Sequence, residues 1–216
     1  MQSGKRAGAV STAGIILYDL GERKKPMLYD KDIREPLFDF LEERYGKIRI
    51  IEEKQMGRSR ADVVMVMPLA VCGIEIKSDA DTYARLNRQV KDYDRYFDYN
   101  YIVAGTRHAV HVKEHVPEWW GIITVEIEGG EVDFYVLREA QVNPKMDWKK
   151  KLSLLWRSEL AHIQQQNQMP KYRQKSKAFV VNKILLKVPE NALSAQYCEE
   201  LFERDYNVYD MGGDVK

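Results

Sequence analysis

The chain has 216 residues, 44% of them hydrophobic and 31% charged, with a formal net charge of +1, a composition typical of a globular protein with one good core and a small appendage. No apolar run approaches the length of a membrane span, and the N-terminus lacks the hydrophobic centre of a signal peptide, so we exclude a membrane-spanning protein and predict a cytoplasmic one. The two cysteines are too few for a four-cysteine iron–sulfur cluster within the chain.

The chain begins with a weakly patterned segment, which an amphipathic helix follows. Residues 1–26 carry Gly, Ser and Lys with little periodicity and predict a flexible leader. Apolar residues recur at helical spacing over 33–45, with Asp32 as N-cap and Asp32-x-x-Glu35 as a loose capping box. Glu35 is open to two interpretations, because it either closes the start of the helix or belongs to an acidic site.

The next predicted elements are three strands, near residues 47–53, 61–67 and 72–77. The second strand reads Val-Val-Met-Val-Met after Asp62, a run typical of a strand covered on both faces, so Asp62 lies where a buried strand begins. In Glu75-Ile76-Lys77 the two charged side chains share one face of the strand, because strand side chains alternate. Two carboxylates and an ammonium group are therefore expected to converge.

These residues have the chemistry of a divalent-metal site. Mg²⁺ prefers oxygen ligands and is held by one or two carboxylates plus substrate phosphates, so Asp62, Glu75 and the Ile76 carbonyl are candidate ligands for Mg²⁺ or Mn²⁺. A metal there lowers the pKa of a bound water, while Lys77 orients that water or stabilises developing negative charge. The competing interpretation is a solvated strand face, with Asp62 in a turn.

A second amphipathic helix is predicted over 81–97. Its apolar stripe consists of Leu86, Val90, Tyr93 and Phe97. Gln89 lies one turn before Tyr93 and beside that stripe, on the side that faces the Glu-x-Lys strand if the helix packs back on the sheet. We therefore expect Gln89 near the charged cluster. The place of Tyr93 in the apolar stripe means that packing in the core accounts for part of its presence in the sequence.

The predicted sheet continues with a strand over 99–104 and a hairpin formed by 122–128 and 131–137. His108, His111 and His115 lie between them, at a spacing that can hold zinc. The intervening valines suggest a strand, on which His108 and His111 would face opposite sides, so we favour a polar segment without zinc.

After Pro144 the pattern becomes helical, with predicted helices over 148–168, 179–188 and 193–202. Residues 148–187 hold ten Lys or Arg against one acid, Glu159, a net charge of +9 that leaves the rest of the chain near −8. A basic loop between helices contains Lys171, Arg173, Lys175 and Lys177. We expect it to contact nucleic-acid backbone, the alternative being a solvated surface.

In their order along the chain, these residues resemble the PD-(D/E)XK nuclease superfamily, and its small bacterial and phage members in particular. The resemblance covers about residues 28–140. The matching positions are Glu35 for the acid of the initial helix, Asp62 for the metal-binding Asp, and Glu75-Ile76-Lys77 for the Glu-x-Lys strand. Gln89 and Tyr93 match the Gln-x-x-x-Tyr pattern of the RecB-like branch. The chain lacks the Pro that commonly precedes the metal-binding Asp.

The resemblance implies an α/β, restriction-endonuclease-like fold, with a mixed central sheet flanked by helices and a small C-terminal helical region. We divide the chain into a flexible leader (1–26), a nuclease-like core (27–144) and a basic helical DNA-binding appendage (145–216). No membrane partner is expected.

The implied function is that of a Mg²⁺- or Mn²⁺-dependent deoxyribonuclease acting on DNA. The expected roles are metal binding for Asp62 and Glu75, water activation for Lys77, support for Glu35 and Gln89, and packing or DNA contact for Tyr93. Arg58 and Arg60, before the Asp62 strand, either contact phosphate or belong to a solvated loop. The alternative is a non-catalytic DNA-binding or scaffold protein on the same fold. Two unpaired carboxylates close together would argue against that alternative.

Overall fold

The computed structural model describes residues 27–205, and the structural statements below refer to that part of the chain. The predicted leader, residues 1–26, lies outside the described residues. At its centre is a six-stranded sheet in the order β1-β2-β3-β4-β5-β6. The strands are β1 (Arg49–Met56), β2 (Ser59–Val66), β3 (Val71–Lys77), β4 (Tyr99–Gly105), β5 (Gly121–Glu128) and β6 (Glu131–Arg138). The pairing is parallel from β3 through β5 and antiparallel elsewhere. The predicted α/β fold with a mixed sheet is confirmed.

Helices cover both faces of this sheet. They are α1 (Asp30–Tyr45), α2 (Leu86–Tyr96), α3 (Thr106–Ala109), α4 (Trp148–Ser153), α5 (Arg157–Gln166), α6 (Lys177–Lys187) and α7 (Glu190–Glu203). A 3₁₀ turn, Tyr83–Arg85, leads into α2. Within residues 27–205 the structure contains no helix with the length and apolarity that crossing a bilayer requires.

Two hydrophobic clusters sandwich the sheet, one on each face. The cluster beneath α1 joins Ile33 and Leu37 to strand residues such as Ile74. The opposite cluster contains α2 together with the C-terminal helices, and its members include Val64, Val66, Tyr93, Leu152, Leu160, Ile184 and Tyr197. The C-terminal helices therefore complete the main core of the sheet.

Helix α1 begins earlier than the sequence predicts, at Asp30. The carboxylate of Asp32 lies in the first turn and accepts a hydrogen bond from the backbone N–H of Tyr29 at 3.1 Å. Asp30 is bound one turn later by Arg34, an i,i+4 ion pair that extends the helix toward its N-terminus. The predicted N-cap role of Asp32 and capping-box role of Glu35 are therefore wrong, and Glu35 is exposed.

The helix predicted over 148–168 is two helices, because the chain turns between α4 and α5. At the start of α5 the backbone N–H of Trp156 donates to the Glu159 carboxylate at 2.5 Å. Glu159 is itself held by Arg204, whose Nε lies 2.6 Å from Oε1. A buried acid that caps the second helix therefore produces the break.

The histidine segment after β4 is helical, so the suggested strand is wrong. It contains α3 and a 3₁₀ turn at Val112–Glu114. The rings of His108 and His115 pack on Tyr83, with centroids 4.8 and 4.0 Å away. His111 lies 3.3 Å from the Glu114 carboxylate.

Candidate active site

The regular pairing of β2 with β3 ends next to Asp62. The β2–β3 ladder runs only as far as the pair of Val63 and Ile74, so Asp62 and Glu75 lie just beyond its end. On the β1 side, Asp62 lies across from Glu53, whose φ of 53° is in the left-handed region that non-glycine residues rarely adopt. The kink at Glu53 and the end of the β3 ladder leave the backbone of Asp62 outside regular pairing.

Side chains from two helices hold the backbone of Asp62 instead. Its N–H donates to the hydroxyl of Tyr93 on α2 at 3.2 Å, and its carbonyl accepts from Nη1 of Arg34 on α1 at 3.2 Å. Its own carboxylate oxygen Oδ2 accepts from the backbone N–H of Ile76 on β3 at 2.9 Å. Asp62 is therefore fixed by α1, α2 and β3 together.

Glu75 and Lys77 share the face of β3 that α2 covers, and Gln89 lies beside them. The Glu75 side chain is 1% exposed, and its Oε1 accepts from Lys77 Nζ and from Gln89 Nε2. Its Oε2 lies 2.9 Å from the Tyr93 hydroxyl. Glu75 is thus in a buried ion pair with Lys77. The expectation of two unpaired carboxylates is wrong, because the ammonium group of Lys77, two residues farther along β3, pairs with the Glu75 carboxylate.

Tyr93 joins the two strands that carry the acids. It is fully buried, and its hydroxyl accepts from Asp62 N–H while lying within donating distance of the Ile74 carbonyl, at 3.1 Å, and of Glu75. Burial, and then the charge of Glu75, raise the pKa of Tyr93 well above its ordinary value, so the hydroxyl keeps its proton. A side chain with no exposed surface cannot touch DNA, which corrects that part of its expected role.

Asp62 has the electrostatic character of a site that attracts positive charge. Burial and the neighbouring charge of Glu75 raise the pKa of Asp62 to about 7, against the hydrogen bond from Ile76, which lowers it. Lys77 and Arg34 also lower this pKa without cancelling the effect of burial. A cation at this position would favour the ionised form of the Asp62 carboxylate.

A polar cavity of about 310 Å³ opens where these side chains meet. The predicted catalytic and metal-binding residues that line it are Asp62, Glu75, Ile76, Lys77 and Gln89. Four arginines also line it, namely Arg58 and Arg60, which the sequence indicated, and Arg85 and Arg88, which it did not. Arg85 lies four residues before Gln89, and Arg88 lies directly before it. This closeness to Gln89 was the sequence signal that could have indicated both arginines.

The acid that α1 brings to the cavity is Asp30 and not Glu35. Asp30 lines the cavity, whereas Glu35 is exposed and does not. Asp30 Oδ1 accepts from Arg34 Nε at 2.6 Å, so this acid is paired with the arginine that also holds Asp62. The family pattern indicated an acid on the first helix, but the earlier start of α1 places a different acid at the site.

The donor set suits a hard divalent cation that keeps some of its waters. Two carboxylates and nearby backbone oxygens are what Mg²⁺ or Mn²⁺ takes when substrate phosphates complete the coordination. Among residues 27–205 no cluster of three or more His, Cys, Asp or Glu side chains is arranged to hold a metal by itself. Asp62 and Glu75 therefore fit a site that shares its metal with a substrate, and not a closed structural site.

Comparison with known proteins identifies a phage family. The family model described as bacteriophage P4 protein cII matches residues 23–207. The chain belongs to this family. No curated protein matches the chain. Among solved structures, Pyrococcus furiosus SfsA in complex with Ca²⁺ matches with 17% identity and a TM-score of 0.35 over 56% of this chain and 68% of SfsA. At that TM-score the match carries no argument about fold or function.

The basic segment of this cII-family chain, which is the predicted basic loop at residues 171–177, is exposed for most of its length. Lys171, Arg173 and Lys175 are exposed, and Lys171 and Arg173 line a second cavity of about 550 Å³ beside Arg157. Lys177 differs, because it is half-buried and donates to the Ser153 carbonyl at 2.7 Å. Three of the four predicted phosphate contacts are therefore accessible to a ligand, and the fourth is occupied within the fold.

Proposed function

We propose that the chain is a metal-dependent deoxyribonuclease of the PD-(D/E)XK type, which hydrolyses phosphodiester bonds in DNA. The observation that supports this most is the meeting of Asp62, Glu75 and Lys77 in one polar cavity where the pairing of β2 with β3 ends, with Gln89 and Tyr93 in contact with Glu75. A partly buried acid in a cleft, with a raised pKa and a specific charged neighbour as Asp62 has, is typical of catalytic sites.

The proposed reaction is hydrolysis. A water oxygen forms a bond to phosphorus, the bond from phosphorus to the leaving oxygen breaks, and a proton passes to the leaving oxygen. When bound by Asp62 and Glu75, Mg²⁺ or Mn²⁺ supplies charge neutralisation and a water of lowered pKa. Lys77 lies against Glu75 Oε1 and is placed to orient the water or to stabilise the negative charge that develops on the phosphate.

The other cavity residues have supporting roles in this proposal. Gln89 and Tyr93 keep Glu75 in place through hydrogen bonds to its two oxygens. The arginines that line the cavity bind the phosphates that flank the scissile bond, because guanidinium groups match the geometry of phosphate oxygens. The basic segment adds contacts to the DNA backbone that do not depend on the DNA sequence.

A second candidate is a non-catalytic DNA-binding protein on the same fold. One observation favours it, namely that Lys77, Gln89 and Tyr93 make hydrogen bonds to both carboxylate oxygens of Glu75. In this case the cavity would be a structural remnant, and the arginines and the basic segment would carry the function. The two candidates differ in one respect that can be measured, which is whether DNA is cut.

The test is a cleavage assay on linear duplex, circular duplex and single-stranded DNA, with Mg²⁺, with Mn²⁺ and with EDTA. We expect the metals to support cleavage of at least one substrate and EDTA to abolish it. Circular DNA is cut only by an endonuclease, so the same assay fixes the mode of attack. DNA binding in EDTA without cleavage under any metal condition would favour the non-catalytic candidate.

A further inference from the structure

We infer that Arg34 is a positioning residue, which holds the backbone of Asp62 so that its carboxylate faces the metal position. The inference rests on the proposed function, because it assigns how the proposed metal ligand is kept in place. Arg34 comes from α1, on the opposite face of the sheet from Lys77, Gln89 and Tyr93. The site therefore depends on a residue of α1 that the sequence motifs leave out.

The contacts of Arg34 are directed and numerous. Its Nη1 donates to the Asp62 carbonyl at 3.2 Å and to Glu52 Oε2 at 3.2 Å. Its Nε donates to Asp30 at 2.6 Å, and its Nη2 donates to Glu53 Oε1 at 2.7 Å. The side chain is only 18% exposed. Three acids thus fix the planar guanidinium in one orientation, and Asp62 is its only backbone partner among these contacts.

The Asp62 carbonyl needs such a donor because the β1–β2 pairing skips Glu53 and Asp62, although the pairs on both sides of them are present. Glu53, across from Asp62, has the left-handed φ of 53°, which interrupts regular pairing of the two strands. Arg34 occupies the gap, with one nitrogen on the Asp62 carbonyl and another on the Glu53 carboxylate. The same guanidinium thereby contacts both residues that the β1–β2 pairing skips.

The sign of the effect on metal affinity separates positioning from charge. A positive side chain near a cation site repels the cation, so deleting Arg34 would tighten metal binding if its charge were all that mattered. If Arg34 acts by orienting Asp62, deleting it weakens metal binding, because groups that orient a metal ligand contribute about 10- to 100-fold in affinity.

The experiment compares wild type with Arg34→Met, Arg34→Lys and the control Arg44→Met. Arg44 lies on the same helix but pairs with Glu139, away from the site. Mn²⁺ affinity is measured by electron paramagnetic resonance of the free ion, and duplex-DNA affinity is measured separately in EDTA. We expect Arg34→Met to raise the Mn²⁺ dissociation constant about tenfold or more, with DNA affinity in EDTA unchanged. Arg34→Lys keeps the positive charge but replaces the planar guanidinium and its several donors with a single ammonium group. We expect it to weaken Mn²⁺ binding as well.

Amide hydrogen exchange provides a measurement that does not need a metal. If Arg34 holds Asp62, exchange in Arg34→Met and Arg34→Lys becomes faster around Asp62 and not over Val64–Val66, where β2 pairs with both β1 and β3, and Arg44→Met shows no change. Unchanged or tighter Mn²⁺ binding in both Arg34 variants overturns the inference. If wild type binds no Mn²⁺, the proposed function fails, and exchange alone decides the positioning role: unchanged exchange at Asp62 in Arg34→Lys overturns it.

Discussion

At the scale of single residues, the central feature is the buried ion pair of Glu75 and Lys77. Both side chains are nearly inaccessible, and each has the other as its main charged partner. A buried pair of this kind is costly to break, because removal of one partner leaves the other charge in a poorly solvated place. The pair therefore makes Lys77 dependent on Glu75 for stability as well as for chemistry.

We predict that Glu75→Leu destabilises the protein by about 3 kcal/mol, the lower end of the range for broken buried pairs, since Asp62 remains near Lys77. The double variant Glu75→Leu/Lys77→Met should regain most of this stability, because an apolar pair of similar volume is often neutral. Urea unfolding of both variants measures the difference. A single variant as stable as the double would show that the pair is not coupled in this way.

Several site residues could be predicted because they follow simple periodicities. Alternation along β3 placed Glu75 and Lys77 on one face, and helical spacing placed Gln89 toward them. Asp30 and Arg34 could not be predicted. The role of Arg34 depends on a contact 28 residues away along the chain and on a left-handed Glu53, and neither leaves a periodic signal in the sequence.

At the scale of elements, β1 forms the junction between the sheet and the C-terminal helices, and Lys54 lies in that junction. Burial, and then the nearby Arg204, lower the pKa of Lys54 from 10.5 to about 8. Between those two values the unfolded chain binds more protons than the folded protein, so stability rises with pH across this window. Below it, Lys54 carries its full destabilising charge.

We predict that Lys54→Met stabilises the protein near neutral pH, by up to about 2 kcal/mol after allowance for solvent screening. The advantage over wild type should shrink as the pH rises above about 8, where the folded wild-type lysine is already neutral. Urea midpoints of both proteins across this range give the difference. Lys113→Met, at an exposed position, is the control, and an advantage for Lys54→Met that does not change with pH would contradict the assignment.

The elements themselves were easier to predict than their ends. Apolar runs and a Gly-Gly turn indicated the strands, and the sheet contains them with small shifts in their limits. The break between α4 and α5 was missed because it depends on Glu159 and Arg204, which are far apart in sequence and meet only in the folded protein. Helix ends depend on such tertiary contacts more than helix interiors do.

At the scale of the whole molecule, the C-terminal helices share one hydrophobic cluster with the sheet. A boundary near residue 144 stays a prediction, but it cannot divide two independent cores. We predict that a chain ending at Pro144 does not unfold cooperatively in urea, because Val64 and Val66 are no longer covered by those helices. A sharp, reversible transition of the shortened chain would show that the sheet and α2 are sufficient.

The basic segment provides a separate test of DNA binding. We predict that joint reversal of Lys171, Arg173 and Lys175 to Glu flattens the log–log salt dependence of duplex binding by about 0.9 for each phosphate that the segment no longer neutralises. Mn²⁺ affinity should stay unchanged, because these side chains lie outside the cavity of Asp62. The matched control reverses Arg44, Lys47 and Lys113, which are exposed and outside the segment. Equal slopes for the two triple variants would mean that the segment is only a solvated surface.

The central claim, that Asp62 and Glu75 hold a catalytic metal, is tested most directly by Glu75→Gln. This change keeps the size and most hydrogen bonds of the side chain but removes the charge that binds a cation. We predict that Glu75→Gln stays folded, binds duplex DNA in EDTA as wild type does, and loses cleavage with both Mg²⁺ and Mn²⁺. The matched control is Glu42→Gln on the exposed side of α1, which should cut DNA at the wild-type rate. Metal-dependent cleavage by Glu75→Gln at the wild-type rate would contradict the claim.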